Sequence, residues 1–481
     1  MLRKADTMNK LFKVVLNRPI VQWVEPTALE INLDNNYYLP KYLETREILL
    51  NSGLEIKTLS TLVNNDGFIT GSTPDYKEEE IKEGAVLLKT VNVERNELNT
   101  SKLFYINKEN HQKLKRSQLN KGDLVITVIG ATDEVIGRTI VYDGRFKNAN
   151  ITQSLAKFRV RETYDEFFVS TFLNSKYGHN LILQMSSSST RRYVNNTELG
   201  QILVPIPSIE IQKYIGNKVR KAEELREEAK RLKEELYEVI NKLFPILSNN
   251  EERKYNFVIE SLVNSERLDP DYYSSEHIAA RVALSKFQTI KLKDIAYITD
   301  GDHGTPEFKK EGVKFLRNKN VGEFIVDYSD LVYIDKAYEE KYLKSSRLQA
   351  EDILLTKIGS IGRSAIFLDA EANLNANSAL IRITHDKFSP YFLCVLFNSN
   401  LYQIIFNKEA GGAVQSALSL NRLGEIPIPI ISQEIQSDIE QKLKRFIDCT
   451  YLYTQLINEA KQDVEDLIEG KFDESKISEG V

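Results

Sequence analysis

The chain has few of the residues from which disulfide frameworks and metal sites are built. Its 481 residues include two cysteines, Cys394 and Cys449, and five histidines. Two cysteines exclude a disulfide framework and a cysteine metal site. The histidines are scattered without metal-ligand spacing. The sequence therefore predicts no metal centre.

Motifs for catalysis are also missing. The sequence contains no Gly-x-Gly-x-x-Gly, no Gly-Lys-Ser/Thr phosphate loop and no Pro-Pro-aromatic motif of the kind that DNA adenine methyltransferases need. Asp75 followed by Glu80-Ile-Lys82 imitates a nuclease signature, but charge runs usually lie on solvated loops, and the second half of the chain has no counterpart. We therefore predict a protein that is not an enzyme and holds no cofactor.

Long apolar runs are absent as well. No stretch approaches the length needed to cross a bilayer, and the apolar stretch after Met8 is too short and too broken by lysines for a signal peptide. The net charge of −5 argues against a protein that coats DNA by bulk electrostatics, although it leaves room for a basic face on an acidic body. We expect a cytoplasmic, globular protein of two to four domains, without a membrane partner.

The chain does contain two copies of one domain. The matching segments follow the same order in both halves: Leu33–Tyr38 with Leu268–Tyr273, Leu87–Val93 with Phe315–Val321, Gly122–Gly130 with Glu351–Gly359, Ile136–Arg138 with Ile361–Arg363, and, with a slip of one residue, Asn150–Ala156 with Asn373–Leu380. A repeat of roughly 220 residues is far longer than a solenoid unit and indicates a duplicated domain.

Each copy mixes strands with helices and ends in a long helix. Short β-branched segments bounded by Gly, Asn and Asp predict strands, and Asp165–Asn174 and Pro390–Asn398 predict buried helices. A Pro-x-Pro turn then precedes a helix with apolar residues spaced by four and three, which favours a coiled coil over an amphipathic helix packed on its own domain. The seam residues are Leu225, Leu232, Leu236 and Leu243 in the first helix and Leu443, Phe446, Tyr453, Ile457, Val464 and Leu467 in the second.

The pattern predicts an α+β (mixed α/β) fold with two tandem recognition domains, internal pseudo-two-fold symmetry and an antiparallel coiled coil. The predicted segments are an N-terminal extension 1–27, a first domain 28–207, a central helix 208–245, a linker 246–261, a second domain 262–429, a C-terminal helix 430–470 and a tail 471–481. A helix of about 35 residues spans roughly 50 Å, somewhat more than the ~34 Å of one turn of duplex DNA.

These motifs, in this order and repeated twice, resemble the specificity (S) subunit of a Type I restriction-modification system. The resemblance implies that each domain reads one half of a split site in double-stranded DNA. It implies that the two helices set the gap between the half-sites and dock methyltransferase (M) subunits, usually two, to which restriction (R) subunits can be added. It also implies that the chain performs no chemistry itself.

Candidate DNA contacts follow from comparing the two copies. Loops that differ between the copies are where two half-sites would be distinguished, and segments 185–196 and 410–421 differ most. Shared or strand-like polar residues are further candidates, as phosphate contacts, ion pairs or an exposed strand face. The predicted DNA-binding residues are Ser188, Thr190, Arg191, Arg192, Tyr193, Asn195, Lys89, Asn92, Arg138, Gln153, Arg317, Asn318, Lys319, Asn320, Lys357, Arg363, Gln415, Ser416 and Asn421.

Other interpretations stay open at this point. Tyr37, Tyr38, Tyr272 and Tyr273 could stack on bases, although aromatic residues at this density more often pack a domain core. The chain as a whole could be a stand-alone DNA-binding or regulatory protein. It could also be a coiled-coil structural adaptor that binds no DNA, which salt-dependent DNA binding would exclude.

Overall fold

The computed structural model describes residues 35–74, 84–187, 191–246, 270–410 and 416–479. These residues form two compact units. Unit 1 contains residues up to 221 together with those from 455 onward, and unit 2 contains residues 222–454. Each unit thus holds one copy of the repeat and part of both long helices, and the domain boundaries given above stay a prediction. In the described part of the chain, no helix is long and apolar enough to cross a membrane.

Unit 1 is built on two small sheets, one four-stranded (β2-β11-β7-β9) and one three-stranded (β10-β3-β6), with short two-stranded pairs beside them. Its strands are β1 Glu55–Thr58, β2 Ile69–Thr70, β3 Ala85–Leu88, β4 Val93–Glu94, β5 Glu97–Leu98, β6 Tyr105–Ile106, β7 Leu124–Thr127, β8 Ile129–Gly130, β9 Thr139–Val141, β10 Ala149–Ile151, β11 Leu155–Phe158, β12 Arg192–Tyr193 and β13 Leu203–Ile206. Its helices are α1 Pro40–Leu50, α2 Leu59–Leu62, α3 Lys108–Lys113, α4 Glu166–Asn174, α5 Lys176–Met185, α6 Asn196–Gly200 and the beginning of α7 Ile209–Leu243.

Unit 2 repeats this plan with a four-stranded sheet (β15-β21-β18-β19), a three-stranded sheet (β17-β16-β20) and the pair β14-β22. Its strands are β14 Thr289–Lys291, β15 Ala296–Asp300, β16 Val313–Leu316, β17 Val332–Ile334, β18 Ile353–Thr356, β19 Ser364–Ile366, β20 Asn373–Leu374, β21 Ser378–Ile383 and β22 Pro427–Pro429. Its helices are α8 Ser275–Leu284, α9 Lys336–Tyr342, α10 Pro390–Asn398, α11 Asn400–Glu409, α12 Leu420–Gly424 and the beginning of α13 Gln433–Ile468; α14 Lys476–Glu479 follows in unit 1. The mixed α and β class and the two long helices are confirmed.

The strand registers correct one detail of the internal alignment. Asn150 lies opposite Leu87, and Asn373 lies opposite the matching Phe315. Five residues later, Leu155 lies opposite Thr127, as Ser378 does opposite Thr356. The asparagine and the second residue are five positions apart in both copies, so the slip of one residue expected in the internal alignment was wrong.

The paired tyrosines belong to the core, as their density indicated. Tyr37, Tyr38 and Tyr272 are buried. Tyr37 packs edge-to-face on Tyr38 with ring centroids 5.1 Å apart, and Tyr272 packs on Tyr273 in the same way at 5.2 Å. These rings hold the start of each copy onto its own unit.

The Glu-Ile-Gln motif at the start of each long helix has a structural purpose. Its glutamine, Gln212 in unit 1 and Gln436 in unit 2, is only 2% exposed. The Gln212 amide donates to the carbonyl of Pro207 at 2.9 Å and accepts from the backbone N–H of Asp165 at 3.1 Å. Gln436 donates to Ile431 and accepts from Ser389, both at 2.9 Å. In each unit the motif therefore ties the turn before the long helix to the N-terminus of a core helix.

Within unit 1 the two long helices run antiparallel. Lys218 near the start of α7 bonds Asp463 near the end of α13 at 2.7 Å, and four residues earlier Tyr214 packs on Phe472, beyond the end of α13. Within unit 2, Arg445 and Glu228 form a bidentate ion pair at 2.7 and 2.8 Å. The antiparallel arrangement expected from the sequence is confirmed.

The apolar seam follows the heptad positions for most of its length. Leu225, Leu232, Leu236, Leu443, Phe446, Ile457, Val464 and Leu467 are buried, whereas Leu243 and Tyr453 are half-buried. Toward the end of α7 the buried positions move by one residue, to Ile240 and Phe244. Phe244 packs on Phe287 of its own unit with ring centroids 4.9 Å apart, which accounts for the change.

Candidate nucleic-acid interface

Backbone hydrogen bonds bring five segments of unit 1 together around the end of β7. Val128 donates to the carbonyl of Ser154 at 2.9 Å and accepts from Val194 at 3.1 Å. Thr152 donates to Leu88 at 3.1 Å. We call the resulting surface the reading face of unit 1; it comprises segments 71–74, 88–92, 128–138, 151–154 and 191–196.

Unit 2 assembles the equivalent surface with the same connections. Lys357 donates to the carbonyl of Asn377 at 2.8 Å and accepts from Leu418 at 3.0 Å. Asn375 donates to Leu316 at 3.0 Å. The reading face of unit 2 comprises segments 301–304, 316–320, 357–363, 374–377 and 416–421. Segments that are far apart in sequence thus meet in both copies, and they carry most of the predicted DNA-binding residues.

In the variable loop of unit 1, segment 185–196, described residues pair with one another and with β8. Ser187 donates to the carbonyl of Tyr193 at 2.8 Å, and β12 pairs with β8. Ser188 and Thr190, in the same segment of the sequence, lie outside the described residues, as does Gln415 in segment 410–421 of unit 2. Arg191 and Tyr193 are exposed.

Arg192 is held by an acidic partner. Its Nε lies 2.8 Å from the carboxylate of Asp133, in a stretch between Gly130 and Ile136 that the second copy shortens to a single serine. The carbonyl of Asp133 in turn lies 2.8 Å from Nε2 of His179, whose pKa is lowered by burial and then by the nearby Arg95. A neutral imidazole can donate to that carbonyl. Arg192 therefore braces the loop in this structure, and contact with guanine would require it to leave Asp133.

The two Ile-Gly-Arg arginines differ although their motifs are the same. Arg138 is 2.5 Å from Glu94 and also donates to the carbonyl of Glu134 at 3.0 Å. Arg363 is exposed, and the position that matches Glu94 is Gly322. Within the described ranges the Arg363 side chain forms no ion pair or hydrogen bond. The ion-pair interpretation therefore suits Arg138, and a phosphate contact remains available to Arg363.

The two strand-like segments, predicted either to contact DNA or to form an exposed strand face, instead contain single turns of 3-10 helix, Thr90–Asn92 and Asn318–Asn320. Asn92 and Asn320 are 1% exposed, and each accepts a hydrogen bond at 2.9 Å from the backbone of the residue before the turn. A propensity argument failed here because the buried asparagine side chain closes the turn. Both residues are structural.

The other residues of these turns are engaged as well. The Lys89 ammonium lies 3.6 Å from the centre of the Phe104 ring. Asn318 donates to the carbonyl of Ile358 at 2.6 Å. Arg317 and Lys319 both pair with Asp330. Because these side chains contact other groups of the protein, they contribute to the structure of the reading face more than they extend from it.

Of three further candidates, two have structural roles and the third lines a cavity. Lys357 is buried and ion-paired with Asp300 at 2.5 Å. Asn195 caps α6, accepting from the backbone of Thr197 at 2.9 Å and of Glu198 at 3.0 Å. Asn421 lies inside α12 and lines an open cavity of about 990 Å³. Gln153 and Ser416 are exposed within the reading faces.

Sequence reasoning missed a basic corner next to the reading face of unit 1. Lys113, Lys115 and Arg116 line a cavity of about 400 Å³ together with Thr70 and Ser72. The basic run Lys113-Leu-Lys-Arg116 was a signal for it, but nothing in the sequence placed this run beside β2. Within the described residues no group of three potential metal ligands converges.

The two units repeat one mixed α/β plan, and each presents a polar face with a variable loop. Together with the two long helices, parts of which lie in both units, this is the architecture of a duplicated recognition protein. The chain matches the family "Type I restriction modification DNA specificity domain" over residues 51–238 and 285–462, and it belongs to that family. The match confirms the predicted family, that of the specificity subunits of Type I restriction-modification systems.

Named relatives agree with this assignment. The chain is 31% identical over 150 residues to the Type I restriction enzyme EcoBI specificity subunit of Escherichia coli, and 29% identical over 182 residues to the MjaX specificity subunit of Methanocaldococcus jannaschii. These stretches span 30% and 43% of the two relatives' lengths and 31% and 36% of this chain. The crystal structure of the S subunit from M. genitalium has the same fold, with a TM-score of 0.50 at 15% identity, covering 88% of this chain and 98% of that one.

Proposed function

We propose that the chain is the specificity subunit of a Type I restriction-modification complex, that it reads a split site in double-stranded DNA with one reading face per half-site, and that it acts in the cytoplasm. The observation that supports this is the pairing of a shared scaffold with divergent faces. Unit 1 carries the Asp133 stretch and Arg192, while unit 2 carries Arg363, which has no acidic partner among the residues that the structure describes. Two different faces on one duplicated frame suit a target whose halves differ.

Methyltransferase subunits, two per chain, are the proposed catalytic partners, and restriction subunits join them in complexes that cleave. The seam residues of α7 and α13 are largely buried within the units. Subunits that dock on these helices would therefore use their outward faces, leaving the seam to hold the helices together.

Mapping methylated adenines across the genome, with and without this gene, tests the proposal. The expected result is a bipartite motif whose methylation disappears with the gene. A continuous motif, or methylation that persists without the gene, would contradict it. The purified chain with S-adenosylmethionine and DNA should transfer no methyl groups until a methyltransferase subunit is added.

A further inference from the structure

The basic corner of unit 1 is a formed pocket. It has a volume of about 400 Å³ and lies between β2 and the 3-10 turn Lys115–Ser117. Asn196, at the exit of the variable loop, forms one wall: it accepts from the Thr70 hydroxyl at 3.0 Å and donates to the carbonyl of Phe68 at 3.1 Å. The pocket is therefore adjacent to the loop that differs most between the copies.

Its charge is positive. The side chains of Lys115 and Arg116 are exposed, and neither side chain forms an ion pair or a hydrogen bond with the described residues. Lys113 also lines the pocket but is paired with Glu109 at 2.6 Å. Among the described residues that line the pocket there is no carboxylate. The two cations beside the Ser72 hydroxyl make a site for an anion with several oxygens, such as a phosphate.

The turn that carries the cations is anchored in the core. Asn150 is fully buried and donates to the Ser117 hydroxyl at 2.9 Å and to the carbonyl of Leu114 at 3.0 Å. Lys115 and Arg116 lie between these two anchor points. Their backbone is thus fixed before any ligand arrives, which lowers the entropic cost of binding.

The same corner of unit 2 has the opposite character. Thr70 and Asp300 occupy equivalent positions, because each lies opposite the matching alanine of the next strand, Ala156 or Ala379. Two residues further on, Ser72 corresponds to Asp302, which accepts from the Tyr338 hydroxyl at 2.8 Å.

The cations are fewer there as well. Ser346 bonds Asn373 at 2.7 Å, as Ser117 bonds Asn150, so the counterpart of Arg116 is Ser345. Two carboxylates, of which Asp300 is paired with Lys357, replace the hydroxyls, and Lys344 alone stands in the place of the two exposed cations. This corner of unit 2 therefore offers a phosphate no matching site.

We propose that the pocket of unit 1 binds a backbone phosphate of duplex DNA beside the bases that the variable loop reads, and that unit 2 has no matching contact. The inference rests on the proposed function. Unit 1 then contacts the DNA backbone at this corner, whereas the backbone contact available to unit 2 is Arg363 of its Ile-Gly-Arg motif. Phosphate contacts position a protein on DNA without reading sequence, so the pocket should raise affinity without changing the recognised site.

The test compares the double variant Lys115→Ala/Arg116→Ala with Lys344→Ala, the matched position in unit 2. The full chain is purified with the subunits that accompany it, and binding to a labelled duplex of random sequence is measured over a range of KCl concentrations. The slope of log affinity against log salt should become shallower by about one for the double variant, because the single phosphate contact of the pocket is lost. Lys344→Ala should leave the slope unchanged.

A second variant tests the same corner without removing a cation. Thr70→Asp/Ser72→Asp places the carboxylates of unit 2 in the pocket and should weaken binding of the random duplex at low salt. For each of these variants, the affinity for the motif found by methylation mapping, divided by the affinity for the random duplex, should equal the wild-type ratio. Thermal unfolding at the wild-type temperature shows that the variants are folded.

The outcomes separate the two proposals. An unchanged slope for the double variant, with steep salt dependence in the wild type, overturns the pocket and leaves the proposed function intact. A wild-type complex that does not prefer its own motif over random DNA overturns the proposed function. Calorimetric titration with inorganic phosphate is the remaining arm: tight binding that the double variant loses, with an unchanged DNA slope, would assign the pocket to a free anion and contradict the DNA contact.

Discussion

The two units share a frame and differ in where they place charge. Both use a buried asparagine to fasten the 3-10 turn after the α3 or α9 helix, and both use a buried glutamine at the start of a long helix. On the surface, unit 1 neutralises Arg138 and Arg192 with Glu94 and Asp133. Unit 2 leaves its Ile-Gly-Arg arginine exposed. A duplicated domain can therefore keep the buried asparagine and glutamine contacts of its frame and still acquire a new surface.

The sharpest test of this comparison concerns the buried aspartate that each copy places before its central strand. Asp123 pairs with Lys157 at 3.2 Å and with Arg159 at 2.8 Å, whereas Asp352 pairs with Arg382 alone, at 2.6 Å. Asp123→Ala should cost about 3–5 kcal/mol, because it leaves the buried Lys157 without its carboxylate. Asp352→Ala should cost about 1–3 kcal/mol, since Arg382 is partly exposed. Thermal unfolding measures both, and equal losses would contradict the difference drawn between the two anchors.

The glutamine at the start of each long helix should behave alike in both units. Gln212→Leu removes two hydrogen bonds to the backbone, and Gln436→Leu removes the two that match them together with a third, to the carbonyl of Lys387 at 3.0 Å. We expect each to lower the free energy of unfolding by about 1–3 kcal/mol. Urea denaturation of the two variants, with Gln433→Leu on the exposed surface of unit 2 as a control, tests this. A loss confined to one unit would show that the shared frame is less equivalent than its contacts indicate.

The Ile-Gly-Arg arginines should separate in a DNA-binding measurement. Arg363→Ala should make the salt dependence of binding shallower by about one, as expected when one phosphate contact is lost. Arg138→Ala should not change that slope, because its guanidinium is occupied by Glu94. Equal effects on DNA binding would break the distinction between a braced and a free arginine.

The smallest expected difference is one of pH. Burial is the main cause that lowers the pKa of both His179 in unit 1 and His277 in unit 2 below 6.5. The unfolded chain then binds more protons than the folded one below pH 6.5, so the stability is complete above that pH and falls as the pH drops toward the folded pKa values. His179→Gln and His277→Gln should each reduce this loss, measured as unfolding temperature from pH 7.5 down to 5.5. If the unfolding temperature of a variant falls between pH 7.5 and 5.5 by as much as that of the wild type, the substituted histidine does not contribute to the loss of stability.

The sequence predicted the features that recur in both copies and missed the features that depend on tertiary contacts. Duplication, the mixed class and the antiparallel helices followed from motif order and heptad spacing, because both record buried apolar positions directly. The site was harder. Asn92 and Asn320 looked like exposed polar residues, yet each is buried in a turn that only its own side chain completes. The pocket at Lys115 was hidden because its other wall, Asn196, lies about eighty residues further along the chain and is brought there by folding.

The division of both long helices between the units bears on how the protein is made. Unit 1 needs residues from 455 onward, which the ribosome delivers only after all of unit 2 has been synthesised. Until then Lys218 lacks Asp463, and the apolar side chains at the start of α7 lack their partners from the end of α13. The first half of the chain to emerge is thus the last to be completed, and a nascent chain that stops short leaves its first recognition domain with an open apolar seam.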